Sequence, residues 1–204
     1  MTIQVSRVSC AFGERTVLQA FTATFKAGQI TALTGPSGSG KTTLLNMLGG
    51  LTTPDSGTIE FEGLDIASMH SGARRRFRRA NVGYLFQDYG LVSDLSVMEN
   101  IKIAVPRVSR ETMAEALTEV GLGGTEKRTV SELSGGEQQR IALVRLILAQ
   151  PKIVLADEPT GALDEANAQL VLKHLRQFAQ GGAVVVVATH SAYISNSSDV
   201  VVEL

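Results

Sequence analysis

The stretch that decides the fold is "GPSGSGKTT", Gly35–Thr43, which lies between the apolar run "ITAL" and the sequence "LLNMLGG". Its glycines and hydroxyl side chains cannot build a core, so the stretch is predicted to be a loop between a strand and a helix. The phosphate-loop pattern G-x-x-x-x-G-K-[ST] is matched at Gly35, Gly40, Lys41 and Thr42. Glycines let several backbone N–H groups converge on one anion, and the following helix adds the positive end of its dipole.

The same loop predicts ATP and Mg²⁺ as ligands. Lys41 supplies a positive charge to the β- and γ-phosphates, and the hydroxyl of Thr42 can ligate Mg²⁺. The residues predicted to bind the nucleotide in this loop are Gly35, Pro36, Ser37, Gly38, Ser39, Gly40, Lys41, Thr42 and Thr43.

A second motif, "IVLADEPT", ends an apolar run with two carboxylates, Asp157 and Glu158. Alone, the pair would be an ordinary acidic start to the loop before Pro159. Beside a phosphate loop, a carboxylate at a strand end is where Mg²⁺ needs a ligand, so Asp157 is a predicted metal residue. Glu158, one residue further, is predicted to act as the general base that polarises an attacking water.

The bulk composition is that of a soluble globular chain. The 204 residues are 44% hydrophobic and 19% charged, and the net charge of −1 gives no overall sign of a nucleic-acid partner. The single cysteine, Cys10, excludes an internal disulfide and fits a reducing compartment. No apolar run approaches the roughly 18 residues needed to span a bilayer, so the chain is expected to dock on a membrane at most.

The pattern along the chain indicates an α/β fold. Residues 2–34 alternate and carry β-branched side chains, which predicts strands that begin as an antiparallel sheet. "ANVGYLFQ", Ala80–Gln87, is predicted to be a buried strand. The segment 88–133 changes to helical spacing, with Ser109 as an N-cap and Gly121 near a helix end. Strands and helices then alternate, which is typical of parallel βαβ units.

"LSGGEQQR", Leu133–Arg140, resembles the signature motif of ATP-binding cassette (ABC) ATPases. The order of motifs is also similar, from the phosphate loop through "VLADEP" and "GALD" to a strand ending at His190. The resemblance covers essentially the whole chain. It implies a single ABC ATPase domain over 1–204, with a P-loop NTPase (RecA-like) α/β core, an antiparallel β-subdomain, and a helical signature subdomain at about 88–140.

The signature has a structural and a functional interpretation. Ser134 and Glu137 form the S-x-x-E capping box that opens a helix. Gly135 and Gly136 cost that helix about 1 kcal/mol each relative to alanine, and a simple cap does not need them. They leave the helix N-terminus bare for an anion. The resemblance implies that this anion is the γ-phosphate of ATP held by a second copy of the chain, so that two copies form a head-to-tail ATP sandwich.

Four further positions take roles implied by the resemblance. Gln87 matches the residue that meets Mg²⁺ and the attacking water, and His190 matches the histidine that contacts the γ-phosphate; alone, each would be an ordinary solvated or hydrogen-bonded side chain. Phe12 matches the aromatic that stacks on adenine, although it could be a core residue of the β-subdomain. Asp164 matches the D-loop residue at the dimer contact, although it could simply N-cap a helix.

The run "RRRFRR", Arg74–Arg79, contains five arginines within six residues. The sequence is compatible with three roles for them: a solvated face, a contact with a membrane partner or lipid headgroups, or a nucleic-acid contact.

The motifs most resemble the macrolide-export and lipoprotein-release group, which includes exporters of antimicrobial peptides and of haem. This predicts an ATPase that powers export through an integral-membrane permease at the cytoplasmic face of the membrane, with no nucleic-acid partner. A groove around residues 89–97 is the expected seat of a permease helix. Two alternatives are a soluble ABC ATPase acting on DNA or ribosomes and an importer ATPase. The sequence does not name the cargo.

Overall fold

The computed structural model describes residues 1–13, 15–161 and 164–204. In these ranges the strands, in chain order, are β1 (Thr2–Phe12), β2 (Arg15–Lys26), β3 (Ile30–Thr34), β4 (Ser56–Phe61), β5 (Leu64–Asp65), β6 (Val82–Leu85), β7 (Ile153–Asp157), β8 (Val184–Ala188) and β9 (Val200–Glu203). The helices are α1 (Lys41–Leu48), α2 (Ser71–Asn81), α3 (Val97–Ala104), α4 (Arg110–Glu119), α5 (Gly135–Ala149), α6 (Glu165–Gln180) and α7 (Ala192–Asn196). A short 3-10 helix, Val130–Glu132, precedes α5.

A five-stranded parallel sheet in the order β6-β7-β8-β3-β9 forms the centre of the molecule. Its inner strands β7, β8 and β3 are almost wholly buried, and every residue of β8 is apolar and buried, as expected for parallel strands covered on both faces. The carboxyl ends of parallel strands lie at one edge of the sheet, which is where open α/β sheets bind ligands. The phosphate loop after β3, Gln87 after β6, Asp157 in β7 and His190 after β8 therefore share one edge.

A four-stranded antiparallel sheet, in the order β2-β1-β4-β5, packs on the same core. Its inward side chains, such as Ile3, Phe25 and Phe61, join α1 and one face of the parallel sheet in a single buried cluster. The predicted antiparallel and parallel sheets are thus both present. β1 and β2 pair as a hairpin in which Phe12 lies opposite Arg15, and both residues are close to the phosphate loop.

The segment between β6 and β7 is helical, as predicted. Ser109 caps α4 through a bond from the Thr112 N–H, and Gly121 follows the helix with a φ of +74°. Helices α3, α4 and α5 pack together around a second buried cluster that continues to the other face of the parallel sheet. No helix within the described ranges is long and apolar enough to cross a membrane.

The structure differs from the sequence prediction around α2 and at the end of β8. The predicted strand Ala80–Gln87 is only Val82–Leu85, because α2 continues to Asn81. The arginine run itself forms most of α2, a helix that the pattern did not predict because a single apolar side chain, Phe77, is buried in it. Strand β8 ends at Ala188, so His190 lies two residues beyond the strand rather than at its end.

Candidate functional site

A cavity of about 520 Å³ opens at the carboxyl edge of the parallel sheet. It brings together residues from the phosphate loop, the β1–β2 hairpin and the ends of β6, β7 and β8. Most of the side chains predicted for the nucleotide site contribute to its wall. The lining residues are Phe12, Arg15, Val17, Gly35, Ser37, Gly38, Gly40, Lys41, Thr42, Thr43, Gln87, Asp157, Glu158 and His190.

The backbone of the phosphate loop needs its glycines. Gly35 has a φ of +138°, and a Cβ there would lie 2.5 Å from the backbone oxygen of Leu204, which follows the edge strand β9. Gly40, with a φ of +102°, is the N-cap residue of α1, and no side chain caps that helix. The N–H groups of its first turn are therefore available to an anion.

The side chain of Lys41 forms hydrogen bonds with the backbone of its own loop. Its ammonium group donates to the carbonyl oxygens of Gly35, at 2.8 Å, and Pro36, at 3.0 Å. Pro36 and Ser39 do not line the cavity, in contrast to the other loop residues. The Ser39 hydroxyl is buried next to Gly35 and has no hydrogen-bond partner among the described residues.

Thr42, Asp157 and Gln87 line one side of the cavity, as a magnesium site requires. Burial raises the pKa of the Asp157 carboxyl, and a hydrogen bond with the hydroxyl of Thr42 opposes that rise. No group of three or more His, Cys, Asp or Glu side chains with metal-binding spacing occurs in the described part of the chain. Such a sparse set fits Mg²⁺, which is held by one or two protein oxygens together with phosphates and water, better than it fits zinc.

Glu158 and His190 form a contact at the mouth of the cavity. Nδ1 of His190 lies 2.7 Å from Oε1 of Glu158, and the hydroxyl of Thr189 donates to Oε2 at 3.2 Å. Glu158 has a φ of +45°, a left-handed conformation that is strained for a non-glycine residue. Its backbone N–H donates to the carbonyl of Ala188, which fixes the turn and aims the carboxylate into the cavity.

Phe12 lies at the far end of the cavity and is 60% exposed, so it is not a core residue. An exposed ring at a cavity wall is suited to stack on a planar base. Sequence reasoning missed Arg15, whose guanidinium also lines the cavity and donates to the carbonyl of Gly38 at 3.0 Å. The signal was weak, because one arginine at the start of a strand is ordinary until the hairpin folds onto the loop.

The signature residues lie outside this cavity. Ser134 and Glu137 form the predicted capping box: the Ser134 hydroxyl accepts from the Glu137 N–H, and the Glu137 carboxylate accepts from the Ser134 N–H at 2.8 Å. These bonds lower the pKa of Glu137. Gly135 and Gly136 give the first turn no side chains, and a Cβ on Gly135 would lie 2.9 Å from the hydroxyl oxygen of Tyr89.

Asp164 caps α6, because its carboxylate accepts from the Asn167 N–H at 2.8 Å. Asn167 in turn bonds Arg140 of α5, so the start of α6 touches the signature helix. Asp164 does not line the cavity. The rest of the "GALD" motif includes Ala162 and Leu163, which lie outside the described residues.

A second residue that sequence reasoning missed is Gln139. It is buried in α5, and its amide donates to the carbonyl of Pro159 at 3.0 Å. This bond joins the signature helix directly to the loop that carries Glu158. Within a helix that is apolar almost all round, the sequence gives no sign of the partner.

A family model described as ABC transporter matches residues 18–161. Similar curated proteins include an uncharacterised ABC transporter ATP-binding protein of Mycobacterium bovis, 43% identical over 87% of this chain and 56% of its own length. The macrolide export ATP-binding/permease protein MacB of Escherichia coli is 39% identical over 99% of this chain and 33% of its own length. The chain thus spans about half, or a third, of these relatives.

The fold is similar to that of a solved structure, the ATP-binding cassette MJ0796 in a dimeric post-hydrolysis state bound to ADP and Pi. The TM-score is 0.90 at 28% sequence identity, over 99% of this chain and 94% of that chain. The predicted fold class and the predicted family resemblance are both confirmed.

Proposed function

This chain belongs to the ABC transporter family as an ATP-binding, ATP-hydrolysing domain, and from that premise we propose that it powers a membrane exporter. One observation supports ATP hydrolysis as the reaction. A single cavity holds a phosphate loop, the side chains of Thr42 and Asp157, and the aimed carboxylate of Glu158. That combination can bind a nucleoside triphosphate and deprotonate a water beside its last phosphate.

The chain's own residues have separate tasks in this reaction. The loop N–H groups and Lys41 bind and orient the β- and γ-phosphates, for which Lys41 exchanges its carbonyl partners for phosphate oxygens. Glu158 accepts the proton of the attacking water, and His190 lies beside it, where it can position the carboxylate and contact the γ-phosphate. Gln87, at the same wall, orients that water.

Thr42, Asp157 and Gln87 would hold Mg²⁺. When bound, Mg²⁺ neutralises charge on the phosphate oxygens and fixes their geometry. The raised pKa of Asp157 fits this task, because a carboxylate disfavoured by burial is a group that gains from a cation.

We propose that the site is completed by a second copy of the chain. The bare N-terminus of α5, with Ser134, Gly135 and Gly136, lies outside the cavity. A two-fold, head-to-tail dimer would place each signature against the nucleotide of the other copy. The dimeric state of the MJ0796 cassette supports this arrangement.

The partner in the membrane is proposed to be a permease, with the cassette at the cytoplasmic face. The similarity to MacB, a macrolide export ATP-binding/permease protein, supports export as the direction of transport. The cargo class remains open among haem, an antimicrobial peptide and a lipid-linked molecule. The shift of Gln87 on ATP binding would tilt the helical segment that follows it.

The deciding experiment purifies the chain with its membrane partner and measures phosphate release from Mg-ATP in liposomes. We expect hydrolysis that depends on Mg²⁺ and is stimulated by the partner. Lys41→Ala should weaken ATP binding about 100-fold or more, because the phosphates lose a charged donor. Unchanged ATP affinity in this variant would contradict the site. Hydrolysis that responds to DNA or ribosomes, with no membrane partner, would favour the soluble-ATPase alternative.

A further inference from the structure

Helix α2 carries a cationic face that the proposed ATPase reaction does not use. Two of its five arginines are committed to the fold. Arg74 donates to the carbonyl of Met69 at 2.9 Å, and Arg78 donates to the carbonyl of Gly50 at 2.6 Å. Both side chains are partly buried.

The other three, Arg75, Arg76 and Arg79, are exposed and together form the arginine face. A helix turns about 100° per residue, so these positions lie within about 100° of one another, roughly opposite the buried ring of Phe77. The helix is thus amphipathic, with one aromatic side chain anchoring it and three guanidinium groups projecting to solvent.

Among the residues that the structure describes, none of the three forms an ion pair with a carboxylate. Arg79 gains from its place in the last turn, where positive charge suits the helix dipole. Arg75 and Arg76 lie in the middle of the helix and gain nothing comparable. Arg75 and Arg79 are also like charges four residues apart, which is destabilising. The arginine face therefore lowers the stability of the isolated chain.

We propose that the arginine face docks on the phosphate groups of anionic phospholipids in a membrane. Guanidinium groups bind phosphate oxygens in a bidentate manner, and clusters of basic residues on a helix are attracted to anionic lipid surfaces. The attraction needs no pocket, because it acts between charges at two surfaces.

The surroundings of α2 favour a lipid surface over nucleic acid. Leu51 directly follows Gly50, whose carbonyl Arg78 holds, and its side chain is 41% exposed. An exposed leucine beside arginines suits a headgroup interface, which takes both apolar and cationic side chains. The net charge of −1 and the sequence pI of about 6.3 are unlike those of a nucleic-acid-binding domain. The proposal goes beyond ATP hydrolysis and does not depend on it.

The test measures partition of the full chain onto sedimented lipid vesicles. One set contains phosphatidylcholine alone, and the other contains added phosphatidylglycerol. We expect binding to the anionic vesicles that weakens as salt is raised. The triple variant Arg75→Gln, Arg76→Gln, Arg79→Gln should lower the partition coefficient about 100-fold, at about fivefold for each arginine.

A matched control replaces three exposed lysines outside α2, as Lys26→Gln, Lys152→Gln and Lys173→Gln. It changes the net charge equally and should keep most of the binding. A triple arginine-to-lysine variant should also keep binding to within about tenfold, because the charge remains. ATP affinity of each variant, measured in parallel, reports correct folding.

Three results would overturn the proposal: no preference for anionic vesicles, an equal loss in the lysine control, or unchanged partition in a folded triple arginine variant. Tighter binding to duplex DNA than to anionic vesicles, lost in the same arginine variant, would assign the face to nucleic acid instead. None of these results would affect the proposed hydrolysis, which Lys41→Ala tests separately.

Discussion

Nδ1 of His190 lies 2.7 Å from Oε1 of Glu158, across the ends of two adjacent parallel strands. The neighbouring Thr189 hydroxyl and the His190 N–H occupy the other carboxylate oxygen, at 3.2 and 3.3 Å. One carboxylate is therefore oriented by three groups from a single segment. A base held this way needs little reorganisation when a water enters the cavity.

Glu158→Gln is expected to retain ATP binding and to lower the hydrolysis rate about 10²- to 10⁴-fold, because the amide cannot accept the proton. ATP-dependent dimers should then accumulate, which light scattering with Mg-ATP would detect. Glu115→Gln, an exposed carboxylate on α4, is the matched control and should behave as the unmodified chain. A purely monomeric Glu158→Gln variant, even with the permease present, would count against the head-to-tail arrangement.

Phe12→Ala is expected to weaken ATP binding about 2- to 10-fold, which is the range for loss of one aromatic stacking contact. Phe12→Tyr should bind as the unmodified chain, because stacking uses the ring face and a hydroxyl at this exposed edge meets solvent. Equilibrium binding of a fluorescent ATP analogue measures both. Equal affinity for the alanine and tyrosine variants would remove Phe12 from the nucleotide site.

Asp157→Asn should raise the melting temperature of the nucleotide-free chain at neutral pH and abolish Mg²⁺-dependent hydrolysis. Burial first, and the charge of Glu158 next, raise the pKa of the Asp157 carboxyl above 3.8 in the folded state. The ionised form is therefore disfavoured by folding, and stability falls as pH rises from below 3.8 through the folded pKa. The amide removes that penalty.

The matched control for this measurement is Asp94→Asn, which changes an exposed carboxylate and should leave the melting temperature unchanged. A lower melting temperature for Asp157→Asn would show that the carboxylate stabilises the fold. The metal-binding interpretation of its environment would then lose its support.

The residues predicted from the sequence are those whose signal is local. Lys41, Asp157 and Ser134 sit in short patterns whose chemistry follows from spacing. In the structure Lys41 and Asp157 line the cavity and Ser134 caps α5, while their binding roles stay predictions. Arg15 and Gln139 were missed because their partners, Gly38 and Pro159, are 23 and 20 residues away. Such contacts exist only once the hairpin and the signature helix have packed.

Some secondary structure was missed for a different reason. Strand β9 is short and mostly exposed, so its "VVVE" sequence lacks the alternation of a half-buried strand. Strand β6 begins later than predicted, since arginine favours helix and Phe77 provides a buried anchor. Strand β9 is thus defined by its pairing with β3, and the start of β6 is set by the helix propensity of the arginines together with the burial of Phe77.

His174 predicts an acid-sensitive stability. Its ring is 2% exposed, Nε2 has no partner in the described part of the chain, and burial lowers its pKa below 6.5. Glu119 and a hydrogen bond with Gln177 oppose that shift, and Lys173 adds to it. A histidine buried neutral contributes stability that is present above its unfolded pKa and is lost as pH falls through the folded value.

We therefore expect the denaturant midpoint to decrease as pH is lowered from about 6.5, and this part of the decrease to be absent in His174→Gln and His174→Leu. Urea titrations across the pH range provide the measurement. An identical pH dependence in the unmodified chain and in both variants would mean that other groups cause the loss.

Val92→Glu should uncouple transport from hydrolysis. Val92 is 46% exposed in the expected permease groove, whereas Leu91 is half-buried and packs against the helical core. A charge at Val92 should therefore disturb the fold less than a charge at Leu91. Basal ATPase should stay within about twofold, as for most surface substitutions. Val201→Glu, an exposed valine on β9, is the matched control. Full transport by Val92→Glu liposomes would place the permease contact elsewhere.

The bonds from Lys41 to the carbonyls of Gly35 and Pro36 have a kinetic consequence. The ammonium bonds two carbonyl oxygens of its own loop, so the lysine itself helps to hold the loop in shape. When ATP binds, Nζ of Lys41 would exchange the two carbonyl oxygens for phosphate oxygens, and the loop would not need to fold. Association should be governed by diffusion and electrostatic steering, and the nucleotide's residence time should reflect how readily Lys41 returns to the backbone.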